Sequence, residues 1–374
     1  MAVGPVSVNC VDATIELSNQ YQVPMMLIAS RRQVDSEKHG GGYVNNWTTH
    51  QFADYVQKKD KSARVILARD HGGPWQNPME VRRNHSIEEA MESAKASYRA
   101  DIDAGFKMLH IDPSIDIHNE PDIDIILNRV FELYEYCSKY AAEKNRPVYF
   151  EVGTEEQSGL VETNEDLEYL LSRIEEFCSE KEVPLPMFVV VQIGTRVMET
   201  KNIGLLEQAI NTQESKSHIY QKIPEIVEIC NRAGIHIKVH NGDYLSDNAI
   251  RMHPELGIHA ANVAPEFAVT ETKTLLKLME EHSLGFLADQ FIELSYNSGK
   301  WKKWMLNDTN ASDYDRAVIA GHYVYSTDEF IEIKERAVVH LRKRNIELDE
   351  VLKHEIKKSI MRYLRGFKVV KKLN

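Results

Sequence analysis

The chain has 374 residues, of which 43% are hydrophobic and 27% charged, a composition typical of a folded globular protein. Its formal net charge of −12 argues against a nucleic-acid-binding protein, because such proteins need an electropositive surface. The four cysteines are scattered along the chain, which argues against a disulfide framework and a cysteine-rich zinc module.

The sequence also lacks the features of a membrane or exported protein. No apolar run approaches the roughly 18 residues that a membrane-spanning helix needs. The first ten residues contain no basic segment of the kind that opens a signal peptide, and Asp12 follows soon after them. We therefore expect a soluble, cytoplasmic protein that binds neither nucleic acid nor a membrane.

Short apolar or β-branched segments alternate with longer segments of helical periodicity from the start of the chain. The predicted strands are, in order, residues 6–10, 25–30, 64–68, 107–112, 147–153, 187–193, 235–240 and 258–263. Predicted helices lie between them, for example at 13–21, 87–104, 123–143, 165–178 and 272–282. Thr48 and Gln51 form a capping-box pattern at one helix start, and Gly105 and Gly234 stand where helix C-caps are expected.

This alternation predicts an α/β fold, because eight β/α units within the first 285 residues match a (β/α)8 TIM barrel. The alternative is a doubly wound open sheet, but that fold needs a Gly-rich turn after its first strand, which is missing here. We predict a TIM-barrel domain at residues 1–285 and a helical C-terminal extension at 286–374. The extension, with amphipathic helices predicted at 334–344 and 351–364, would pack on the barrel or make an oligomer contact.

Polar residues stand at the predicted strand ends, where the active sites of TIM barrels lie. In the strand at 235–240 the apolar residues must contact the surrounding helices, so the alternate residues point into the barrel. The polar residues placed inside or at the barrel mouth in this way are Asp70, His71, His110, Asp112, Tyr149, Glu151, Glu155, Gln192, His236, Lys238, His240 and Asn262.

Such a set of side chains indicates a function, since buried charges are costly unless they are paired or bind a metal. Two or three imidazoles and a carboxylate suit zinc, with manganese or magnesium as alternatives. His71 and His240 are the favoured ligands because both lie at predicted strand ends. His236 and Lys238 lie deeper in their strand, where a structural role is equally open.

Basic residues close to other strand ends are weaker candidates. Arg31, Arg32, Arg196 and Lys201 could hold a substrate phosphate, although simple surface charges are the alternative. The Gly-rich segment at 39–43 lacks the Gly-Lys-Ser/Thr sequence of a P-loop. It predicts a flexible loop at the barrel mouth, where a ligand could approach the backbone closely.

At these positions the chain resembles the GatZ/KbaZ family, the second subunit associated with class II tagatose-1,6-bisphosphate aldolase. The matching motifs, in order along nearly the whole chain, are Gln33-Val34, Gly41-Gly42-Tyr43, Asp70-His71-x-Gly73-Pro74, Ala104-Gly105-Phe106, His110-x-Asp112-x-Ser114, Gly153-Thr154-Glu155, Val190-Val191-Gln192-x-Gly194, His240-x-x-Asp243-Tyr244 and Trp301-Lys302-Lys303. The resemblance implies a TIM barrel of the class II aldolase type and a role in carbohydrate metabolism.

The resemblance to class II aldolases themselves implies roles for several residues. Asp70 matches their acid–base aspartate, His71 and His240 match zinc ligands, and Asn262 matches an asparagine that contacts the substrate. The chain departs from the pattern at 192–197, where a ligand histidine is missing, and after His240, where a Gly-rich phosphate turn is missing. Either Glu155 or Gln192 completes a different metal site, or the site is degenerate.

Two hypotheses follow from these observations. The first is a metal-dependent enzyme that performs aldol cleavage, condensation or epimerisation on a ketose or ketose (bis)phosphate. Its candidate residues are Asp70 and Asp112 for catalysis, His71, Glu155 and His240 for the metal, and Gln192, Asn262, Lys238 and Arg196 for the substrate. The second is a non-catalytic subunit that stabilises a separate class II aldolase. A sugar-binding module without chemistry fits less well, since the set is rich in titratable groups. We also expect a homo-oligomer.

Overall fold

The computed structural model describes residues 1–153, 161, 163–211 and 213–370, without the side chains of residues 210–220. The described strands are β1 (Ala2–Val3), β2 (Met25–Ser30), β3 (Val65–Gly72), β4 (Met108–Ile111), β5 (Tyr149–Val152), β6 (Phe188–Val190), β7 (Val197–Met198), β8 (Lys201–Asn202), β9 (His236–Val239) and β10 (Ala260–Val263). Within this part of the chain, all except β7 and β8 close into a parallel barrel in the order β1-β10-β9-β6-β5-β4-β3-β2. The predicted TIM barrel is confirmed.

Helices surround the barrel and continue beyond it. The described α-helices are α1 (Val8–Tyr21), α2 (Thr49–Lys59), α3 (Pro78–Arg82), α4 (Ile87–Ala104), α5 (Ile123–Glu143), α6 (Asn164–Lys181), α7 (Leu205–Asn211), α8 (Gln213–Arg232), α9 (Asp247–Glu255), α10 (Pro265–Glu281), α11 (Gly285–Asn297), α12 (Asp313–Ala320), α13 (Asp328–Arg342) and α14 (Leu348–Gly366). None of these helices combines the length and hydrophobicity that a bilayer crossing requires.

Local sequence signals set several helix ends. Thr48 and Gln51 form the predicted capping box at the start of α2, each side chain bonding the backbone of the other residue. Gly105 ends α4 in the left-handed conformation at φ 89°, where a residue without a Cβ is favoured. Because α4 stops there, the chain reverses and enters β4 at Met108.

The prediction for the first strand was wrong. Residues 6–10 were expected to form it, whereas β1 is formed by residues 2–3, which pair with both β2 and β10. Ser7 instead caps α1, its hydroxyl accepting the backbone N–H of Cys10 at 3.0 Å. The apolar residues of this segment suit one buried helix face as well as a strand, and the serine cap decides between the two.

The barrel interior consists of an apolar layer followed by a polar one. The apolar layer is a separate buried cluster formed by Ala2, Met26, Ile28, Ala68, Met108, Phe188 and Ala260. Two residues further along three of these strands, the same inward parity carries Asp70, His110 and Asn262. The apolar layer therefore supports a polar layer at the carboxyl ends of the strands, where TIM-barrel active sites lie.

The chain after residue 285 is helical, as predicted. Ile356, Ile360 and Leu364 of α14 join the apolar core of the barrel, and α14 packs against α1 and α10. The helices α10 to α13 share a second apolar cluster around Phe291 and Phe330. The domain boundary between residues 285 and 286 remains a prediction. The helix α14 lies beyond this boundary in the sequence, but it packs into the apolar core of the barrel.

A buried arginine ties β3 to its neighbours immediately before the polar layer. The Arg69 guanidinium donates to both carboxylate oxygens of Asp101 on α4, at 2.8 and 2.6 Å. It also donates to the backbone carbonyls of Ala29 and Val34, each at 2.7 Å. Because both charges are fully buried, neither can be satisfied by water if its partner is removed.

We predict that Arg69→Met lowers the free energy of unfolding by about 3–5 kcal/mol, because Asp101 would remain buried without its partner. Arg342→Met is the matched control, since Arg342 pairs with Glu347 on the surface and its loss should cost less than about 1 kcal/mol. Urea denaturation of both variants measures the difference. Equal losses of unfolding free energy in the two variants would show that the buried Arg69–Asp101 pair stabilises the fold no more than the surface Arg342–Glu347 pair.

Candidate active site

Three imidazole rings meet at the carboxyl end of the barrel. His71 is the last residue but one of β3, His110 lies on β4, and His240 directly follows β9. The ring centroids of His71 and His240 are 4.9 Å apart, those of His110 and His240 5.2 Å, and those of His71 and His110 5.3 Å. Closure of the barrel thus brings the rings from β3 and β4 together with the ring that follows β9, which lies opposite β3 in the eight-stranded order.

Glu151 of β5 is the most deeply buried carboxylate of this site. Its Oε2 accepts from the Lys238 ammonium at 2.6 Å, and its Oε1 accepts from His240 Nε2 at 3.0 Å. Burial opposes ionisation of Glu151, but the nearby Lys238, His110 and His240 outweigh it and lower the pKa to about 2. Burial lowers the pKa of His240 to about 4, so this imidazole is neutral at pH 7.

Asp70 lies between the three imidazoles. Its Oδ1 accepts from Asn262 Nδ2 at 3.0 Å and lies 3.8 Å from His110 Nδ1 and 3.9 Å from His240 Nε2. Burial opposes ionisation of Asp70, but His71 and the other two imidazoles hold its pKa well below the usual range. The carboxylate is therefore ionised at neutral pH.

Asp112 fixes the orientation of His71. His71 Nδ1 donates to Asp112 Oδ2 at 2.6 Å, and Gln76 and Ser114 also bond the same carboxylate. Burial opposes protonation of His71, but Asp70 and Asp112 outweigh it and raise the pKa of His71 to about 9. With Nδ1 engaged, Nε2 is the ring nitrogen left for the site, and it lies 3.9 Å from Asp70 Oδ2.

The backbone at His71 is strained in a way that turns its side chain towards the site. His71 has a φ of 42°, a left-handed value that is costly for a residue with a Cβ. The pairing of β3 with β4 shifts register between Arg69 and Gly72, as at a β-bulge. At Gly73, a Cβ would lie 2.2 Å from the carbonyl oxygen of Asp112, so glycine is required for this close approach.

The donor set fits a divalent metal ion. Three overlapping groups each place one ligand atom per residue within 4.8 Å of the others, and they are Asp70–His71–His240, His71–His110–Asp112 and His110–Glu151–His240. Imidazole nitrogens and carboxylate oxygens are suitable ligands for zinc. His110 Nδ1 already accepts the backbone N–H of His71 at 3.1 Å, so His110 would have to give up this bond to bind an ion.

Most of the predicted site residues lie in this cluster. Asp70, His71, Asp112, Lys238, His240 and Asn262 are connected by the contacts above. Gln192 is buried just after β6, whereas Arg196 is exposed beside the β7–β8 hairpin. Glu155 lies outside the described residues. His236 lies at the opposite end of β9, where its exposed ring is 4.4 Å from that of His259.

Sequence reasoning assigned no metal-binding role to His110 or Glu151. Both carried a signal, because each has the inward parity of its strand and lies two residues before a position that was singled out, Asp112 and Gly153. What the sequence could not show is that Glu151 pairs with Lys238 and His240 across the barrel.

The model of the family described as D-tagatose-1,6-bisphosphate aldolase subunit GatZ/KbaZ-like matches residues 2–280. The chain belongs to this family. A curated relative, the D-tagatose-1,6-bisphosphate aldolase subunit GatZ of Klebsiella oxytoca, is 31% identical over 126 residues. That match spans 31% of this chain and 28% of the relative, so it covers less than a third of either protein.

Solved structures share the fold at low sequence identity. A probable tagatose 6-phosphate kinase from Sinorhizobium meliloti 1021 superposes with a TM-score of 0.74 at 17% identity, covering 98% of this chain and 99% of that one. The fructuronate-tagaturonate epimerase UxaE from Cohnella laeviribosi gives 0.61 at 12%, covering 98% and 81%. The fructose-bisphosphate aldolase from Campylobacter jejuni gives 0.52 at 13%, covering 99% and 89%. These similarities establish the fold alone.

We predict that the purified chain holds roughly one divalent ion, because imidazoles and carboxylates converge on one small volume. His71→Ala/His240→Ala should lose this ion, as measured by mass spectrometry of the metal content. His50→Ala, an exposed histidine on α2, is the matched control and should retain it. Metal-free wild-type protein, even after zinc and manganese are added, would contradict a metal site.

We predict that Asp112→Asn weakens zinc binding about 10- to 100-fold without removing any ligand, because the orientation of His71 is lost. The same change should lower the pKa of His71, since one of the carboxylates that raise it is gone while Asp70 remains. Zinc titration and NMR measure these two effects. Asp54→Asn, an exposed carboxylate on α2, should change neither, and unaltered zinc affinity in Asp112→Asn would refute the orienting role.

Proposed function

We propose that this protein is a metal-dependent enzyme of carbohydrate metabolism that acts on a ketose or ketose phosphate by aldol cleavage, aldol condensation or epimerisation. The observation that carries the proposal is the convergence of three imidazoles and three carboxylates inside the barrel mouth. Burying so many titratable groups is costly, and a barrel needs none of them for packing.

In this proposal His71 and His240 hold the ion, with zinc as the first choice and manganese or magnesium as alternatives. Glu151, which contacts His240 and forms a possible ligand group with His110 and His240, is assigned as a further ligand in the described part of the chain. A bound ion would polarise the substrate carbonyl and stabilise the negative charge that develops next to it.

The other residues of the cluster supply proton transfer and positioning. Asp70 takes the proton of a substrate hydroxyl, because its carboxylate lies between the three imidazoles at the centre of the site. Asn262 holds Asp70 through Nδ2, and its buried Oδ1, which has no partner among the described atoms, is available to a substrate hydroxyl. Asp112 acts through His71, and we therefore treat it as a positioning residue.

Lys238 is already engaged by Glu151, so we assign it to the support of that carboxylate rather than to the substrate. Its positive charge offsets one negative charge of the cluster and keeps Glu151 ionised. The assignment of Gln192 and Arg196 to substrate binding stays a prediction.

The second candidate is a non-catalytic subunit that stabilises a separate aldolase. It is favoured by the description of the family and of the Klebsiella relative, both of which name an aldolase subunit. The missing histidine at 192–197 and the missing Gly-rich turn after His240 also agree with it. Asp70, His71 and His240, which match the aldolase pattern, favour the enzyme, because stabilising a partner requires none of them.

The decisive experiment is an activity assay of the purified chain alone, loaded with zinc or manganese, on ketose phosphates and bisphosphates. NMR would detect released aldehyde, epimerised product, or deuterium exchanged from solvent into the substrate. We predict that Asp70→Asn lowers kcat by about 10²- to 10⁴-fold while the metal content is unchanged, because only the proton acceptor is lost.

His50→Ala again serves as the control and should retain full activity. The subunit hypothesis predicts a different pattern. The metal-loaded chain alone would be inactive, and the wild-type chain and Asp70→Asn would stabilise a class II aldolase equally well.

A further inference from the structure

A cavity of about 690 Å³ opens at the barrel mouth beside the end of β2. The chain as a whole has 57 acidic and 45 basic residues, yet the described lining of this cavity contains no acidic side chain. We call the cavity the cationic pocket, because the arginines and lysines that line it are Arg31, Arg32, Arg82, Lys300, Lys302 and Lys303.

Lys303 lies in this pocket on the short 3₁₀ helix Lys302–Trp304, which follows α11. Its ammonium is 4.6 Å from the ring centroid of Trp304 and 5.6 Å from that of Tyr323. These rings hold the amine at the cavity wall, but an aromatic face does not accept its proton. The side chain is exposed to the cavity, so a small molecule there can reach Nζ.

No described carboxylate forms an ion pair with Lys303 within 4.0 Å. Glu199 contacts the same segment through its backbone N–H, which donates to the carbonyl of Trp304 at 2.7 Å. The carboxylate of Glu199 is engaged elsewhere, since it accepts from the Thr309 hydroxyl and lies 4.0 Å from Lys201 Nζ. The positive charge of Lys303 therefore has no counter-ion in the described part of the chain.

The other cations of the pocket fall into two groups. Arg31 is fully buried and paired with Asp35 at 3.0 Å and with Glu80 at 2.6 Å, so its charge is neutralised. Each of the remaining cations, like Lys303, lacks an ion pair with any described carboxylate within 4.0 Å. Unpaired positive charges around one cavity repel each other, and a negative charge among them would relieve this repulsion.

This environment favours the neutral form of Lys303. Partial desolvation at the cavity wall is the larger cause and repulsion from Arg32 and Lys300 adds to it, so that the pKa of Lys303 falls to about 7. A lysine of ordinary pKa, about 10.4, is almost wholly protonated at pH 7. The other titratable groups of this part of the wall have pKa values that burial shifts towards their uncharged forms, and they are Tyr43, His322 and Tyr323.

We propose that Lys303 Nζ reacts with carbon dioxide and forms a carbamate whose negative charge is held by Arg32 and Lys300. The nitrogen lone pair forms a bond to the carbon of carbon dioxide, and one C=O electron pair moves onto oxygen. The nitrogen then releases one proton to solvent. The neutral amine and carbon dioxide supply every atom of the product, so no oxidant or further reactant is needed. This inference is independent of the metal-dependent reaction proposed above.

The charge of the product distinguishes carbon dioxide from other electrophiles that react with amines. Acylation would leave Lys303 neutral, and a protonated imine formed with an aldehyde would keep the positive charge. A carbamate instead replaces one positive charge with one negative charge. Its two oxygens can accept charge-assisted hydrogen bonds from Arg32 and Lys300, which have no other described counter-ion.

The first test is carbon-13 NMR of the full chain under labelled carbon dioxide and bicarbonate at pH 7. We expect a carbamate resonance that is separate from those of the two dissolved species and is lost in Lys303→Arg, because a guanidinium does not form a carbamate under these conditions. Lys302→Arg is the matched control. It makes the same change at the adjacent exposed lysine of the pocket and should retain the resonance.

The second test removes the neighbouring cations with Arg32→Gln/Lys300→Gln. This change should raise the pKa of Lys303 and leave the carbamate unpaired, so the resonance at pH 7 should fall at least about threefold at a fixed pressure of carbon dioxide. Lys343→Gln removes an exposed charge after α13 and should leave the resonance unchanged. An undiminished resonance in the folded double variant would overturn the assignment of Arg32 and Lys300.

The third test needs no variant. Alkylation converts a carbamate into a stable ester, and mass spectrometry of peptides from the wild-type protein then locates it. We expect the ester at Lys303, in a yield that increases from pH 6 to pH 8 at a fixed pressure of carbon dioxide, because only the deprotonated amine reacts. A peptide containing Lys303 without the ester, or a resonance that persists in full in Lys303→Arg, would overturn the proposal.

Discussion

The structure of the site depends on charge compensation within a buried layer. Glu151 is completely buried, and it is ionised only because Lys238 and His240 reach it from β9 across the barrel. An ionised carboxylate without such partners would be too costly at this depth. Closer to the barrel mouth, the negative charges of Asp70 and Asp112 face the imidazole of His71 in the same way. The polar layer therefore behaves as one electrostatic unit, in which removing one member alters the protonation of the others.

Buried arginines connect this layer to the rest of the fold. Arg69 ties the end of β3 to α4 and to the loop after β2, and Arg31 ties that loop to the turn after His71. Both side chains are fully paired, so they hold the two strand ends in place without offering charge to a ligand. Arg69 precedes the strained backbone of His71, and Arg31 bonds the turn that follows it. These contacts fix the backbone on both sides of His71, so its imidazole faces the site in a fixed orientation.

Much of the site could be predicted from strand periodicity, because residues of one parity on parallel strands must share the barrel interior. Strand periodicity alone predicts that Asp70, His110, Glu151, Lys238 and Asn262 point into the barrel. The prediction from periodicity was wrong for the first strand. The apolar residues there fit both a strand and a helix, and the Ser7 cap favours the helix α1. Periodicity could not rank His110 or Glu151 as possible ligands, because ligand geometry depends on contacts between strands remote in sequence.

The sequence alone determined the alternation of strands and helices, the α/β barrel and the polar residues at its mouth, because these follow from local periodicity, capping residues and the handedness of β/α connections. Only the tertiary structure decided which polar residues meet. Barrel closure brings the ends of β3, β4, β5 and β9 to one rim, and it pairs Glu151 with Lys238. It also brings Arg32 to the same cavity as Lys300 and Lys303, which follow it about 270 residues later in the chain. No local sequence pattern shows which charged residues, remote in sequence, become neighbours, because these contacts form only when the barrel closes.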